Sequence, residues 1–144
     1  MMVNLLDHID KLLDYLKEAP MPVTRSEDAQ VHEIHNARFT SLIRPGTGSA
    51  ELCVWQTEVA PDSVGVPHRI LGEEAFYLLA GEVEITIDGD SAPLRPGDAA
   101  VAPAGSMIGL TNAAAEPAVL LVTVRVGFSA ELPDGSTFVP PWAS

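Results

Sequence analysis

The spacing of hydrophobic residues changes once along the chain, near residue 30. Residues 4–18 carry leucine and isoleucine at three- and four-residue intervals with charged residues between them, and this pattern predicts an amphipathic helix. The apolar stripe consists of Leu5, Ile9, Leu12, Leu13 and Leu16. Asn4 and Asp7 are typical of a helix start, whereas Pro20 and Pro22 end the helix. The stripe either covers one end of the domain or forms a dimer contact.

The rest of the chain consists of short apolar segments separated by turns rich in proline, glycine and aspartate. These segments predict strands near residues 31–43, 51–60, 66–71, 74–80, 82–88, 91–94, 99–102, 107–111 and 117–127. Many short strands at even spacing indicate a β-sandwich or a closed β-barrel. The tail, residues 133–144, is rich in proline and glycine, so we expect it to pack as an extended segment rather than as a strand.

Alternation along the strands predicts which side chains face the interior, because residues two apart share a face. One face carries Cys53, Trp55, Thr57 and Val59; another carries Glu74, Phe76 and Leu78; a third carries Val83, Ile85 and Ile87. Tyr77 should point outward. Arg125 either faces the interior, where it would bind a carboxylate or pair with Glu74, or is a surface charge.

Composition limits the class of protein. The 144 residues suit one domain, and 47% hydrophobic residues suffice for a well-packed core. A net charge of −12 without a basic patch argues against binding to nucleic acid or to anionic membranes. The single cysteine, Cys53, excludes an internal disulfide. No signal peptide or membrane span is evident, so we expect a cytoplasmic protein.

The stretch GVPHRILGEEAFYLLAG, residues 65–81, has the layout of a metal site on two adjoining strands. His68 and position 70 point the same way, and a turn at Leu71–Gly72 would return Glu74 beside them. Two imidazoles and a carboxylate suit iron, manganese, nickel or zinc. Ile70, however, stands where the second imidazole belongs.

This stretch resembles the first motif of the cupin superfamily, G(X)5HXH(X)3,4E(X)6G, through His68, Glu74 and Gly81. The second cupin motif, G(X)5PXG(X)2H(X)3N, resembles GDAAVAPAGSMIGLTN. Its matching positions are Gly97, Pro103, Gly105 and Asn112, with Ile108 in place of the histidine. The resemblance is to small single-domain bacterial cupins, which are commonly homodimers. It implies an all-β cupin-type double-stranded β-helix, or jelly-roll barrel, over residues 23–144, preceded by a helical extension over residues 1–22.

Isoleucine at two of the four ligand positions changes the chemistry that the motif implies. His68 and Glu74 remain as vestigial metal positions, and we expect neither a catalytic metal nor another cofactor. His32 or His35 could complete a metal site, but residues three apart point to opposite faces of a regular strand, so at most one enters the barrel. We expect His68 and Glu74 to form a hydrogen-bonded couple at one end of an apolar cavity, either as an acid/base pair or as a relic.

The leading functional hypothesis is a barrel that binds a small apolar or aromatic organic ligand. The expected pocket residues are Trp55, Ile70, Phe76, Met107 and Ile108, beside His68 and Glu74. Any chemistry would be metal-free acid/base catalysis of the isomerase, cyclase or dehydratase type. The alternatives are a metal-dependent oxygenase or isomerase with a non-standard ligand set, and a structural or regulatory barrel without chemistry. Whether the protein is an enzyme stays open at this point, because one barrel supports many activities.

Overall fold

A computed structural model describes residues 4–18 and 21–144. In these residues, helix α1, Leu5–Glu18, is followed by thirteen strands. They are β1 Val31–Ile34, β2 Ala37–Ile43, β3 Leu52–Val59, β4 Ser63–Val64, β5 His68–Ile70, β6 Glu74–Ala80, β7 Val83–Ile87, β8 Asp90–Leu94, β9 Ala99–Ala102, β10 Met107–Asn112, β11 Ala118–Arg125, β12 Ala130–Glu131 and β13 Thr137–Phe138. Short 3₁₀ turns lie at Ser26–Asp28, Pro45–Thr47 and Pro141–Ala143.

The strands form two antiparallel sheets with the core between them. One sheet has the order β1-β2-β3-β11-β6-β9, and the other has the order β13-β12-β5-β10-β7-β8, with β4 also pairing with β10. Both sheets combine hairpins of consecutive strands with pairs from distant parts of the sequence, such as β3–β11 and β5–β10, as in a jelly roll. The predicted all-β barrel with an N-terminal helix is confirmed. The division into residues 1–22 and 23–144 stays a prediction.

The alternation of side chains along the strands correctly predicts which residues form the core. In β3, Cys53, Trp55, Thr57 and Val59 are all buried, and in β6 Phe76 and Leu78 are buried while Tyr77 is exposed. Val83 and Ile85 of β7 are also buried. Branched and aromatic side chains on one face of each strand therefore fill the space between the sheets.

Two predicted elements differ from the structure. The segment expected as one strand at residues 31–43 is a hairpin, β1–β2, which turns at His35–Asn36 with a positive φ of 55° at His35. The tail is not simply extended: Thr137–Phe138 pairs with Ala130–Glu131 as β13. A turn at residues 134–136, with φ of 84° at Gly135, brings these two segments together.

Helix α1 begins as predicted, because Asn4 Oδ1 accepts a hydrogen bond from the Leu6 backbone N–H at 3.1 Å. Its described stripe residues are between 43% and 70% exposed, so the stripe does not cover one end of the barrel as we expected. The dimer contact stays a prediction. Pro20 and the side chain of Leu16 lie outside the described part of the chain. Within that part, no helix has both the length and the apolar character needed to cross a membrane.

Candidate functional site

A cavity of about 510 Å³ lies between the two sheets. Its wall is mainly apolar and includes all four phenylalanines and both tryptophans of the chain. These are Phe39, Trp55, Phe76, Phe128, Phe138 and Trp142. A concave, largely apolar site with a few polar groups is the usual form of a small-molecule binding site.

Glu74 is the buried acid of this cavity. It is the first residue of β6, and the side chain is only 5% exposed because it shares the inward face of this strand with Phe76 and Leu78. Glu74 Oε1 is buried and has no hydrogen-bond partner among the described residues. Burial raises the pKa of the Glu74 carboxyl from its usual 4.5 to about 8, because a charged form would lose its hydration without gaining a partner. The carboxyl is therefore mainly protonated at neutral pH.

His68 lies on the opposite sheet and also lines the cavity. Its Nδ1 lies 3.0 Å from the Val66 carbonyl oxygen, which can only accept a hydrogen bond, so Nδ1 must carry the proton of this contact. In the neutral imidazole, Nε2 then holds the free lone pair.

The expected hydrogen-bonded couple does not form. Across the described residues, neither a hydrogen bond nor an ion pair joins His68 to Glu74. The imidazole of His68 is held instead by the segment before β5, where Nδ1 donates a hydrogen bond to the Val66 carbonyl. His68 and Glu74 are two separate polar groups of one apolar cavity, so a ligand can contact each of them independently.

Strand geometry places some of the other expected pocket residues in the wall of the cavity and others outside it. Trp55, Phe76 and Ile108 line the cavity, whereas Ile70 and Met107 do not. Ile70 is fully buried within the hydrophobic core. Met107 precedes the inward-facing Ile108 in β10, so alternation turns its side chain to the outer face. The expectation that Ile70 and Met107 line the pocket is therefore corrected.

The described residues do not fit a metal ion. Within residues 4–18 and 21–144, no group of three histidine, cysteine, aspartate or glutamate side chains is arranged to hold a metal. His35 reaches the cavity from the β1–β2 turn, while His32 packs beside Trp142 with ring centroids 6.1 Å apart and is not part of the cavity wall.

Sequence reasoning missed the part of the wall that comes from the tail. Trp142 stacks on Phe39, and its carbonyl accepts a hydrogen bond of 2.8 Å from the buried Ser41 hydroxyl. Phe128 and Phe138 complete this side. The only available signal was a tryptophan in a tail otherwise rich in small residues and proline, since tryptophan is largely buried in most proteins. Arg125, left open by the sequence, is exposed at the end of β11.

Comparisons with known proteins agree with this architecture. A family model described as a cupin domain matches residues 55–124. No curated protein sequence matches the chain at a significant level. Similar solved structures include the polyketide cyclase RemF from Streptomyces resistomycificus, with 20% identity, a TM-score of 0.68, and coverage of 85% of this chain and 89% of that one.

Two further solved structures extend the comparison. An RmlC-like cupin from Shewanella frigidimarina NCIMB 400 has 18% identity and a TM-score of 0.63, with coverage of 74% of this chain and 91% of that one. TT1209 from Thermus thermophilus has 26% identity and a TM-score of 0.60, with coverage of 73% of this chain and 97% of that one. The shared feature is the barrel.

Proposed function

The chain belongs to the cupin superfamily, and from this premise we propose that its cavity binds a small, largely apolar organic molecule on which Glu74 and His68 act as proton donor and proton acceptor. One observation carries the proposal: Glu74 lines an apolar cavity, and its buried Oε1 has no hydrogen-bond partner among the described residues. A buried polar group without a hydrogen bond costs about 1–3 kcal/mol, and a ligand that supplies the missing partner recovers that cost.

The two polar groups are suited to opposite tasks. Glu74 is mainly protonated at neutral pH, so it can donate a proton or a hydrogen bond. His68 already uses Nδ1 on the Val66 carbonyl, so Nε2 of the neutral ring is left to accept a proton. An acid and a base on the same small molecule support isomerisation, cyclisation or dehydration.

One similar solved structure is a polyketide cyclase, but at 20% identity this similarity is evidence for the fold and not for a cyclisation. The proposal therefore rests on the cavity. The metal-dependent alternative lacks a third ligand among the described residues, so no observation favours it.

Binding of naphthalene, an uncharged aromatic probe, tests whether the cavity accepts organic ligands. Ligand-detected NMR and tryptophan fluorescence report binding directly, because both tryptophans line the cavity. Ala37 lines the same cavity, so Ala37→Phe should weaken binding by at least about tenfold, which is 1.4 kcal/mol. Ala115→Phe, on an exposed loop residue, is the matched control and should bind like the wild type. Equal binding by all three proteins, or none by the wild type, would contradict the proposal.

A further inference from the structure

We infer that the ligand is an uncharged, ring-bearing carbonyl compound whose carbonyl oxygen accepts a hydrogen bond from the Glu74 carboxyl. This inference rests on the proposed function and narrows it to a class of molecule. Three features of the cavity carry it: its charges, its aromatic wall, and the presence of two polar groups, Glu74 and His68, in that wall.

The charges in the cavity argue against an anionic ligand. Among the side chains that the structure describes, no lysine or arginine lines the cavity. Two arginines are instead held by backbone carbonyls: Arg69 Nη1 donates to Gly105 at 2.6 Å, and Arg44 Nη1 donates to Ser144 at 2.9 Å. A carboxylate or phosphate brought into this apolar space would lose its hydration and meet no cation.

A cationic ligand is disfavoured by the state of Glu74. The other titratable side chains that line the cavity are His35, His68 and Asp134. Asp134 is exposed, and its Oδ1 accepts hydrogen bonds from the Ser136 N–H and hydroxyl. This carboxylate is therefore used in the turn before β13. An ammonium group would need ionised Glu74 as its counterion, and forming this pair in the apolar cavity would cost the hydration of both charges. A protonated carboxyl is best matched by a neutral hydrogen-bond acceptor.

The aromatic wall favours a ring. Trp55 and Trp142 meet edge to face, with ring centroids 6.1 Å apart and planes at 70°, and Phe128 lies 6.3 Å from Trp55. These three rings pack against one another in the wall of the cavity. Flat ring systems stack on such surfaces and gain about 0.5–1.5 kcal/mol per aromatic pair beyond the burial of apolar area.

The two polar groups then define the chemistry. With the carbonyl oxygen bound to Glu74, His68 Nε2 takes a proton from the carbon beside the carbonyl. The electrons of the broken C–H bond form a carbon–carbon double bond, and the carbonyl oxygen receives the Glu74 proton. The products are an enol, a Glu74 carboxylate and a protonated His68. Return of the two protons regenerates both side chains, so the cycle needs no further reactant.

Four probes with the same ring system test the ligand class at pH 7. They are naphthalene, 2-acetylnaphthalene, 2-naphthoate and 2-naphthylmethylammonium. We expect 2-acetylnaphthalene to bind at least about tenfold more tightly than naphthalene, and both charged probes to bind more weakly than naphthalene. If naphthalene binds and the ketone binds no better, the inference fails while the proposed function stands. If the ammonium or the carboxylate binds most tightly, the ligand class is wrong. If no probe binds, the proposed function itself fails.

Variants separate binding from proton transfer. In D₂O, NMR of the acetyl methyl group of 2-acetylnaphthalene measures exchange of its protons for deuterium. The wild type should accelerate this exchange above the buffer rate. His68→Gln should abolish the acceleration while retaining the preference for the ketone, and Glu74→Ala should remove both. Glu74→Gln still donates a hydrogen bond, so it should keep the preference but lose the exchange. Wild-type exchange at the buffer rate, or His68→Gln exchange at the wild-type rate, would overturn the assigned roles.

Discussion

His68 and Ile108 are directly opposite each other on the neighbouring antiparallel strands β5 and β10, and both side chains line the cavity. Position 108 is where the second cupin motif has a histidine. The structure therefore places an isoleucine side chain where a second imidazole would meet His68. The apolar wall of this chain and the lack of a third metal ligand among its described residues have the same origin.

Adding an imidazole at position 108 should create a metal site. We expect Ile108→His to bind Ni²⁺ or Zn²⁺ above the background of the wild type, because the new imidazole joins His68 and Glu74 on the wall of the cavity. Elemental analysis of the purified, tag-free protein, after Fe, Mn, Ni, Zn and Cu have been offered in turn, measures the result. The wild type should stay at background.

The same analysis contains its own controls. Adding His68→Ala to Ile108→His should lower its metal content, since one ligand is lost. Near-stoichiometric metal in the wild-type protein that disappears in its His68→Ala variant would instead restore the metalloenzyme hypothesis and point to His35, which lines the cavity, as a hidden ligand.

The barrel could be predicted from sequence because its turns depend on local chemistry. Gly81 has a φ of 80°, and a Cβ built there would lie 2.4 Å from the Pro117 carbonyl oxygen, so only glycine fits. Such positions leave a spacing pattern that can be read along the chain. Strand alternation likewise predicted that Trp55, Phe76 and Leu78 face the interior.

The remaining part of the site depends on contacts that no local pattern encodes. Ser41 and Trp142 are 101 positions apart, yet the tail packs on β2 and forms one wall of the cavity. The contact of His68 with the Val66 carbonyl depends on the path of one loop backbone, so the expected bond to Glu74 could not be tested by spacing. Periodicity likewise did not separate the exposed helix stripe from a buried one.

Asn112 should be essential for stability rather than for ligand binding. Its Nδ2 donates hydrogen bonds to the carbonyls of Val59 and Glu116, at 3.2 and 2.9 Å, and its Oδ1 accepts one from the Ala114 N–H. Asn112→Ala leaves three backbone groups without this partner and should lower the free energy of unfolding by about 3 kcal/mol. Urea unfolding measures the change. Asn36→Ala, at an exposed asparagine, should change the free energy of unfolding by less than about 0.5 kcal/mol.

Trp142 should anchor the tail through packing and not through its indole N–H. The ring is 4% exposed and stacks on Phe39, with centroids 3.8 Å apart and planes within 5°. Trp142→Ala should lower the free energy of unfolding by about 3–5 kcal/mol and weaken binding of naphthalene. Trp142→Phe should retain most of the stability, because Nε1 is buried without a hydrogen-bond partner among the described residues.

A matched substitution in the same tail separates packing from general effects of truncation. Val139 is 62% exposed, so the free energy of unfolding of Val139→Ala should lie within about 0.5 kcal/mol of the wild-type value. A loss from Trp142→Phe as large as that from Trp142→Ala would show that the indole nitrogen has a partner, and would contradict the packing explanation.

Stability should fall as pH rises because of Glu74. Its pKa is raised from 4.5 to about 8 in the folded protein, so folding favours the protonated form, and the contribution of this group is fully present below pH 4.5. Between pH 4.5 and about 8 the free energy of unfolding should fall by about 1.4 kcal/mol per pH unit, or about 5 kcal/mol in total.

Glu74→Gln isolates this effect, because glutamine is uncharged and of similar size. Urea unfolding at a series of pH values from 5 to 9 should show that the difference between variant and wild type grows with pH, with the variant more stable at pH 9. Glu73→Gln, at the exposed neighbouring residue, should parallel the wild type over the whole range. Parallel curves for Glu74→Gln and the wild type would mean that Glu74 is ionised in the folded protein, and its role as a proton donor would then be wrong.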